Sequence, residues 1–318
     1  MLDLYEDSQE AKFDLIFELA NRLDLLPPVY IISHKRAGAV RTLRTLPLMH
    51  EHGALVVAAD EYDEYRRAHR DVRVIRIPNG YGPENIGVGR ARQWCIDTAD
   101  ILGHEHAIVL DDDLTLLSIL WGAGDGRASR AFAGAIEGRR EEFFLGILVL
   151  FAAVSADAFL NNPGAMVSST QNQNANRTPA ASEARYQVNN GGNPGLMQMW
   201  NVVPFQEIGG LDLARFNRHG DDIGAVTQII NAGGSVIKVP SIIGNSLDCE
   251  TESVIRTVET APALRQGEHD ALMADPLARY VKTKYDLIDR PTWHSMDWRA
   301  MARDGGGQQR RVPWVVGR

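Results

Sequence analysis

Cysteine is scarce in this chain: two residues in 318, Cys95 and Cys249, far apart and in no C-x-x-C pair. That argues against a disulfide scaffold and a zinc site, and a reducing compartment, the cytoplasm, is expected. A leader is not expected either, since Met1–Glu10 carries acids in place of a basic start followed by an apolar core. Long apolar runs are few. The most apolar, Phe143–Val154, is shorter than the roughly 20 residues a membrane span requires, and it reads as a core helix. Glycine-rich phosphate loops are also lacking. The first candidate strand is followed by Ser33-His34-Lys35-Arg36-Ala37-Gly38 in place of G-x-G-x-x-G, while Gly87-Val88-Gly89 follows a loop and lacks the third glycine. With no Walker sequence in addition, the chain points away from nicotinamide cofactors and P-loop hydrolysis.

What is present is an ordinary globular composition, 44% hydrophobic and 23% charged, over a length that suits one large α/β domain with an appendage or two modest domains. The net charge of −8 is unevenly spread. Pro276–Arg318 holds nine Lys/Arg against four Asp, or +5, which leaves −13 for residues 1–275. An acidic body argues against a broad nucleic-acid-binding face. The basic C-terminal segment suits an anionic partner and plain solvation about equally.

Apolar runs and turn signals predict a peripheral helix over Ser8–Leu26, closed by Pro27-Pro28, then strands at Val29–Ile32, Ala54–Ala59, Val72–Ile77 and Ala107–Leu110. Helices are expected between them at Ala37–His50, Glu61–His69 and Val88–Leu102, with a turn-rich loop at Pro78–Gly89. Such alternation implies βαβ units and a mainly parallel sheet. After Trp121 the rhythm changes. A loop over Gly122–Gly126, a long buried helix over Arg139–Asn161 and a strand over Ala165–Ser169 are expected, then a polar loop over Gln171–Pro194. A strand over Gly195–Val203, a turn region at Phe205–Leu213, a helix at Asp222–Ala232 and a strand at Ser235–Val239 follow, with mostly helix and tail beyond Pro240. The loop Gln171–Pro194 is too poor in apolar residues to anchor itself, so a mobile lid is the expectation.

The chemistry concentrates at His106–Asp113, HAIVLDDD. An apolar run without alternation, as of a strand buried on both faces, ends abruptly in Asp111, Asp112 and Asp113. Three adjacent like charges need compensation. Open α/β sheets bind ligands at the carboxyl ends of their strands, and a hard divalent cation shared between carboxylates, phosphate oxygens and water would supply it. The structural alternative has Asp113 capping a short helix at Leu114–Leu120. Other strand ends carry suitable groups. His34, Lys35 and Arg36, after Ser33, suit phosphate; Asp60 suits a ribose; Arg90 and Arg92 open the helix before the Asp strand, where anions are favoured. Loop solvation, capping of a helix by Asp60, and pairing of Arg92 with Asp97 or another acid are the corresponding structural roles. Asp221-Asp222 opens a helix and suits an N-cap as well as a catalytic carboxylate.

The order YIISHKR, VVAAD, a Gly/Pro loop, GVGRARQWCIDTA and AIVLDDD resembles the nucleotide-sugar half of a GT-A fold glycosyltransferase, an α/β, Rossmann-like fold with a mainly parallel sheet flanked by helices. The later NVVPFQEIGGLDLARFNRHGDDIGAVTQIINAGG is similar to the family's second signature, an aromatic strand, a GG-[FL]-D turn and an acidic pair opening a helix. More narrowly, S-x-K-R and D-D-D-L resemble the TET-associated glycosyltransferases of phages, which are thought to glycosylate 5-hydroxymethylpyrimidines in DNA. The resemblance covers about Val29–Pro240. It implies an N-terminal helical extension over 1–28, a nucleotide-sugar half over 29–121, an acceptor half over 122–240, and a helical C-terminal extension with a basic tail over 241–318.

By the same resemblance Asp111 and Asp113 face Mn²⁺ or Mg²⁺ with Asp112 in second place. Asp221 or Asp222 is the acceptor-activating base, and His294, beside Trp293, is a further candidate metal ligand. The implied donor is a nucleotide-diphosphate sugar, UDP-glucose favoured, and the implied acceptor is 5-hydroxymethylcytosine in double-stranded DNA, in the host cytoplasm if the chain is phage-encoded, with no membrane involved. Alternatives are a sugar-nucleotide nucleotidyltransferase, against which the missing glycines of Ser33–Gly38 count, and a transferase acting on a saccharide or protein. A non-catalytic module of the same fold is a further alternative, against which the three intact aspartates weigh.

Overall fold

The computed structural model describes residues 8–47, 49–81, 87–122, 128–132, 136, 138–172, 184–189, 195–209, 211–213 and 221–246, with shorter pieces at 270, 274, 281–285, 291–296 and 310–313. The strands are β1 (Val29–Ile32), β2 (Gly53–Val57), β3 (Arg73–Arg76), β4 (His106–Asp111), β5 (Leu116–Gly122), β6 (Ala128–Phe132), β7 (Ala165–Asn172), β8 (Ala184–Val188), β9 (Met197–Asn201), β10 (Ser235–Asn245), β11 (Val281–Tyr285), β12 (Pro291–Met296) and β13 (Arg310–Pro313). The helices are α1 (Gln9–Ala20), α2 (Arg41–Thr45), α3 (Met49–His52), α4 (Tyr62–Ala68), α5 (Val88–Ile101), α6 (Arg140–Asn161), α7 (Val202–Ile208) and α8 (Asp221–Asn231).

The short runs VYII, GALVV and HAIVLD have no polar alternation because helices cover both faces of the sheet they build. That sheet runs β13-β8-β10-β7-β9-β4-β1-β2-β3, with β5 on β10 and β6 on β5. Its N-terminal part, β3-β2-β1-β4, is wholly parallel, as expected. Beyond β4 the pairing is mixed: β9 and β8 run antiparallel to their neighbours while β7 and β10 run parallel to each other. The chain leaves β1 toward β2 on one side and returns to β4 on the other. This switch point opens a crevice at the carboxyl ends of β1 and β4.

One face is packed by α1 and α6, the other by α5, α7 and α8, giving two apolar clusters separated by the sheet. Among the described residues, only α6 is long and apolar enough to cross a membrane, and most of its apolar length is buried inside the fold. At Gly146 it meets α1 so closely that a Cβ would collide with the Ile16 carbonyl. Gly146→Ala would gain about 1 kcal/mol of helix propensity, yet overpacking against immovable backbone costs about 1–3 kcal/mol or more. A lower urea midpoint is therefore expected, and an unchanged one would mean that α1 yields.

The structure departs from the sequence expectation at several elements. Leu114–Leu120 is not a helix capped by Asp113: Leu116–Gly122 is β5, antiparallel to β10. An apolar run such as LLSILW fits either element, and cross-strand pairing decides. Inside the expected loop Gln171–Pro194 lies β8, whose Tyr186 is 1% exposed; residues 173–183 and 190–194 of the lid expectation lie outside the described residues. The expected turn region begins within α7, which carries Pro204 in its first turn, where the missing N–H has no intrahelical partner to lose. Past Pro240 the described pieces are mainly strands rather than helix. β10 continues through Pro240 to Asn245, β11 and β12 form an antiparallel pair, and β13 extends the main sheet beside β8.

Candidate active site

The register of β1 on β4 builds the site. Ile32 pairs with Asp111, so Ser33 emerges beside Asp112. The Ser33 hydroxyl donates to Asp112 Oδ2 at 2.5 Å and lies 2.6 Å from the Tyr65 hydroxyl. Arg36 Nη1 donates to Asp112 Oδ1 at 2.8 Å and stands 3.8 Å from Asp113. From the helix before β4, Arg92 Nη2 donates to Asp111 Oδ1 at 2.9 Å. The backbone is clamped as well. Thr42 Oγ1 donates to the Asp111 carbonyl at 2.5 Å and accepts from Leu114 N at 3.0 Å, while Thr42 N donates to the Asp112 carbonyl at 3.0 Å.

Exposure separates the three carboxylates. Asp112 is 9% exposed, against 27% for Asp111 and 21% for Asp113. Asp112 is thus the most buried of the three, and Asp111 and Asp113 are the more exposed pair. Among the described residues, Arg92 pairs with Asp111, and Arg36 pairs with Asp112 and also stands near Asp113. Burial raises all three pKa values above the ordinary carboxylate range. At Asp113, burial and then the charges of Asp111 and Asp112 push it up to about 7.

The neighbouring loop is held by Glu61. Its carboxylate meets His34 Nδ1 at 2.6 Å and accepts the Lys35 backbone N–H at 3.2 and 3.3 Å. Lys35 has φ +53°, a left-handed conformation that a non-glycine residue adopts at some cost and that the Glu61 contact helps to hold. The Lys35 side chain is exposed, as is Asp60. Arg90 is turned to backbone, donating to the carbonyls of Tyr81 and Pro78. In the described conformation Arg36 and Arg92 therefore pair with carboxylates, which for Arg92 is the structural alternative, with Asp111 as the acid.

Across the sheet, α8 starts at Asp221, and Asp222 accepts the Ile223 N–H at 2.8 Å. The side chain of Asp221 lies outside the described residues. His294 falls on β12, at the step where the β11–β12 register shifts by one residue; its side chain is likewise outside the described residues. Among the described residues, no three His, Cys, Asp or Glu side chains form a metal cage.

Sequence reasoning missed Thr42, Tyr65 and Glu61, because their roles depend on elements that only the fold brings to the ends of β1 and β4. Tyr65 is fully buried and its hydroxyl also accepts the Arg36 N–H at 2.9 Å. Tyr65→Phe is expected to cost about 1–3 kcal/mol by leaving the Arg36 N–H without its acceptor and Ser33 Oγ without its donor. Chemical denaturation measures this, and a stability unchanged from wild type would show that water replaces the phenol.

Comparison with known proteins adds a family. The TET-Associated Glycosyltransferase family matches residues 27–175. No curated protein matches the chain. Among solved structures, it is similar to glucosyl-3-phosphoglycerate synthase from Mycobacterium tuberculosis in complex with Mg²⁺ and UDP, at 11% identity and a TM-score of 0.42, over 88% of this chain and 90% of that one. GalNAc-T7 with UDP, GalNAc and Mn²⁺ aligns at 12% identity and a TM-score of 0.42, over 69% of this chain and 43% of that one. Mannose-1-phosphate geranyltransferase from Thermus thermophilus aligns at 11% identity and a TM-score of 0.33, over 67% of this chain and 73% of that one. The fold assignment itself rests on strand order and register.

Proposed function

We propose, from the match of residues 27–175 to the TET-associated glycosyltransferase family, that this chain is a nucleotide-sugar-dependent transferase that moves a hexose, UDP-glucose being the favoured donor, to 5-hydroxymethylcytosine in double-stranded DNA. The observation that carries the reading is the strand-end triplet: Asp112 the most buried, Asp111 and Asp113 more exposed, and all three at the carboxyl end of β4 beside Arg36 and Arg92. Clustered hard carboxylate oxygens of this kind fit Mn²⁺ or Mg²⁺, whose remaining positions phosphate oxygens and water would fill. Asp111 and Asp113 would hold the ion, with His294 as a further candidate. When bound, it supplies charge neutralisation for the leaving diphosphate.

The protein's own groups do the rest. Arg36 and Arg92 keep the carboxylates oriented, and Ser33 and Thr42 fix the chain that bears them. His34, Lys35, Asp60 and Arg90 border the nucleotide side of the crevice as candidate contacts. Transfer of a glycosyl group passes through an oxocarbenium-like state, which an acceptor hydroxyl attacks best as its proton leaves. We assign that proton to Asp222, and to Asp221 the stabilisation of the first turn of α8 by its charge.

The test is mass spectrometry of products from a panel of sugar nucleotides offered with hydroxymethylated or plain duplex DNA. A mass increase of one hexose on the hydroxymethylated duplex alone is expected. Transfer to both or to neither removes hydroxymethylcytosine as the acceptor.

A further inference from the structure

Lysine is rarely buried because its ammonium loses hydration without recompense, yet Lys238 on β10 is 2% exposed. The register explains how it is accommodated. Gln198 on β9 pairs with Ser169 on β7, Ser169 with Lys238, and Lys238 with Gln187 on β8. Residues in register share a face, so four polar side chains form a row across four strands, each at most 3% exposed. Lys238 Nζ lies 3.4 Å from Ser169 Oγ.

The row faces α8. Val236, two residues before Lys238 and on the same face, packs in the cluster that contains Ile223 and Val226 of α8. A short turn, Ala232–Gly234, joins α8 to β10, so the helix runs back along the strand. At 1.5 Å per helical residue against about 3.3 Å per strand residue, its 11 residues bring the first turn back to about the level of Lys238, which the register Lys238–Ser169–Gln198–Val109 places near the carboxyl end of β4. Among the described side chains of α8, Asp222 is a charge that Lys238 meets.

We propose that Lys238 is a positioning residue for Asp222: its ammonium, seated in the Gln198–Ser169–Lys238–Gln187 row, holds the carboxylate as an anion on the acceptor side of the crevice. The inference rests on the reading of Asp222 as the acceptor base. Burial draws the Lys238 pKa down to about 7, and Asp222 acts in the opposite direction. The other row members facing the ammonium, from β7, β8 and β9, are uncharged, and Arg311 of β13 stands next beyond Gln187 in register.

The test uses the full chain with UDP-glucose and hydroxymethylated duplex DNA. Lys238→Met is expected to lower kcat about 10²-fold, as loss of an effective base does, with donor KM and UDP affinity unchanged. Lys238→Arg, which keeps the charge, should recover part of the rate. Adding Lys238→Met to Asp222→Asn should cost nothing further, because the two residues act as one unit. A folded Lys238→Met protein that turns over at the wild-type rate, or a loss that multiplies with that of Asp222→Asn, overturns the proposal.

A second measurement needs no turnover and no lysine substitution. ¹³C NMR titration of the Lys238 side chain should give a lower midpoint in Asp222→Asn than in wild type, and equal midpoints overturn the pairing. A wild-type chain that binds UDP but transfers to no acceptor would sink the base assignment alone, and the titration would still decide whether the two residues are coupled.

Discussion

Asp113→Ala is expected to abolish sugar transfer and the metal-dependent part of nucleotide binding while leaving the protein folded. Asp113 is the partly exposed carboxylate that its two neighbours disfavour most, and its pKa is pushed up to about 7. Removing it relieves repulsion in the free protein and takes away one of the two more exposed carboxylates of the triplet. The sign of the pH effect follows. A carboxylate whose folded pKa lies above its unfolded value, near 3.9, binds more protons in the native state between about pH 4 and 7. Metal-free stability from this group is therefore greatest below that window and declines as pH rises through about 7; Asp111 and Asp112, raised in the same direction, act alike. Thermal melts without metal should thus show a downward slope across this range that Asp113→Asn reduces and Mn²⁺ suppresses in wild type. Calorimetry supplies the decisive measurement: UDP affinity that is the same with and without Mn²⁺ in the wild-type chain would remove the metal from the proposal.

Asp222→Asn and Asp221→Asn should split the acidic pair. Loss of a general base lowers rate by about 10²–10⁴, whereas loss of a favourable helix-terminal charge costs about 0.3–1 kcal/mol of stability. Asp222→Asn is accordingly expected to be nearly inactive yet folded and able to bind donor, and Asp221→Asn active with a slightly lower melting temperature. Steady-state rates beside thermal melts read both effects. Near-wild-type turnover in both variants would mean that neither carboxylate is the base, and the reverse pattern would exchange their roles.

Much of the N-terminal half was legible without coordinates. VYII, ALVV and AIVL read as strands because nothing polar interrupts them, and a parallel sheet buried on both faces demands just that. Arg140–Asn161 was legible for the same reason, its length separating helix from strand. The failures have a common cause. LLSILW carries no periodicity that distinguishes strand from helix, and Arg185-Tyr186-Gln187-Val188 is a short segment embedded in polar sequence, so only their partners make them β5 and β8.

The Asp triplet at a strand end, and hence a site of high negative charge, was determined by the sequence alone, because three adjacent carboxylates after a buried run have few other uses. What balances that charge was decided by the tertiary structure. No basic residue adjoins the triplet in sequence, yet parallel pairing of β1 with β4 brings Arg36 to Asp112, and the packing of α5 brings Arg92 to Asp111. Lys238 belongs to the same category. Nothing in Ser-Val-Ile-Lys-Val-Pro marks the lysine as buried, and only coverage of both faces, with the first turn of α8 above it, makes it a buried charge beside Asp222. Strand propensity is local, whereas the partner of a charge depends on which residues, distant in sequence, the sheet order brings within a few ångströms.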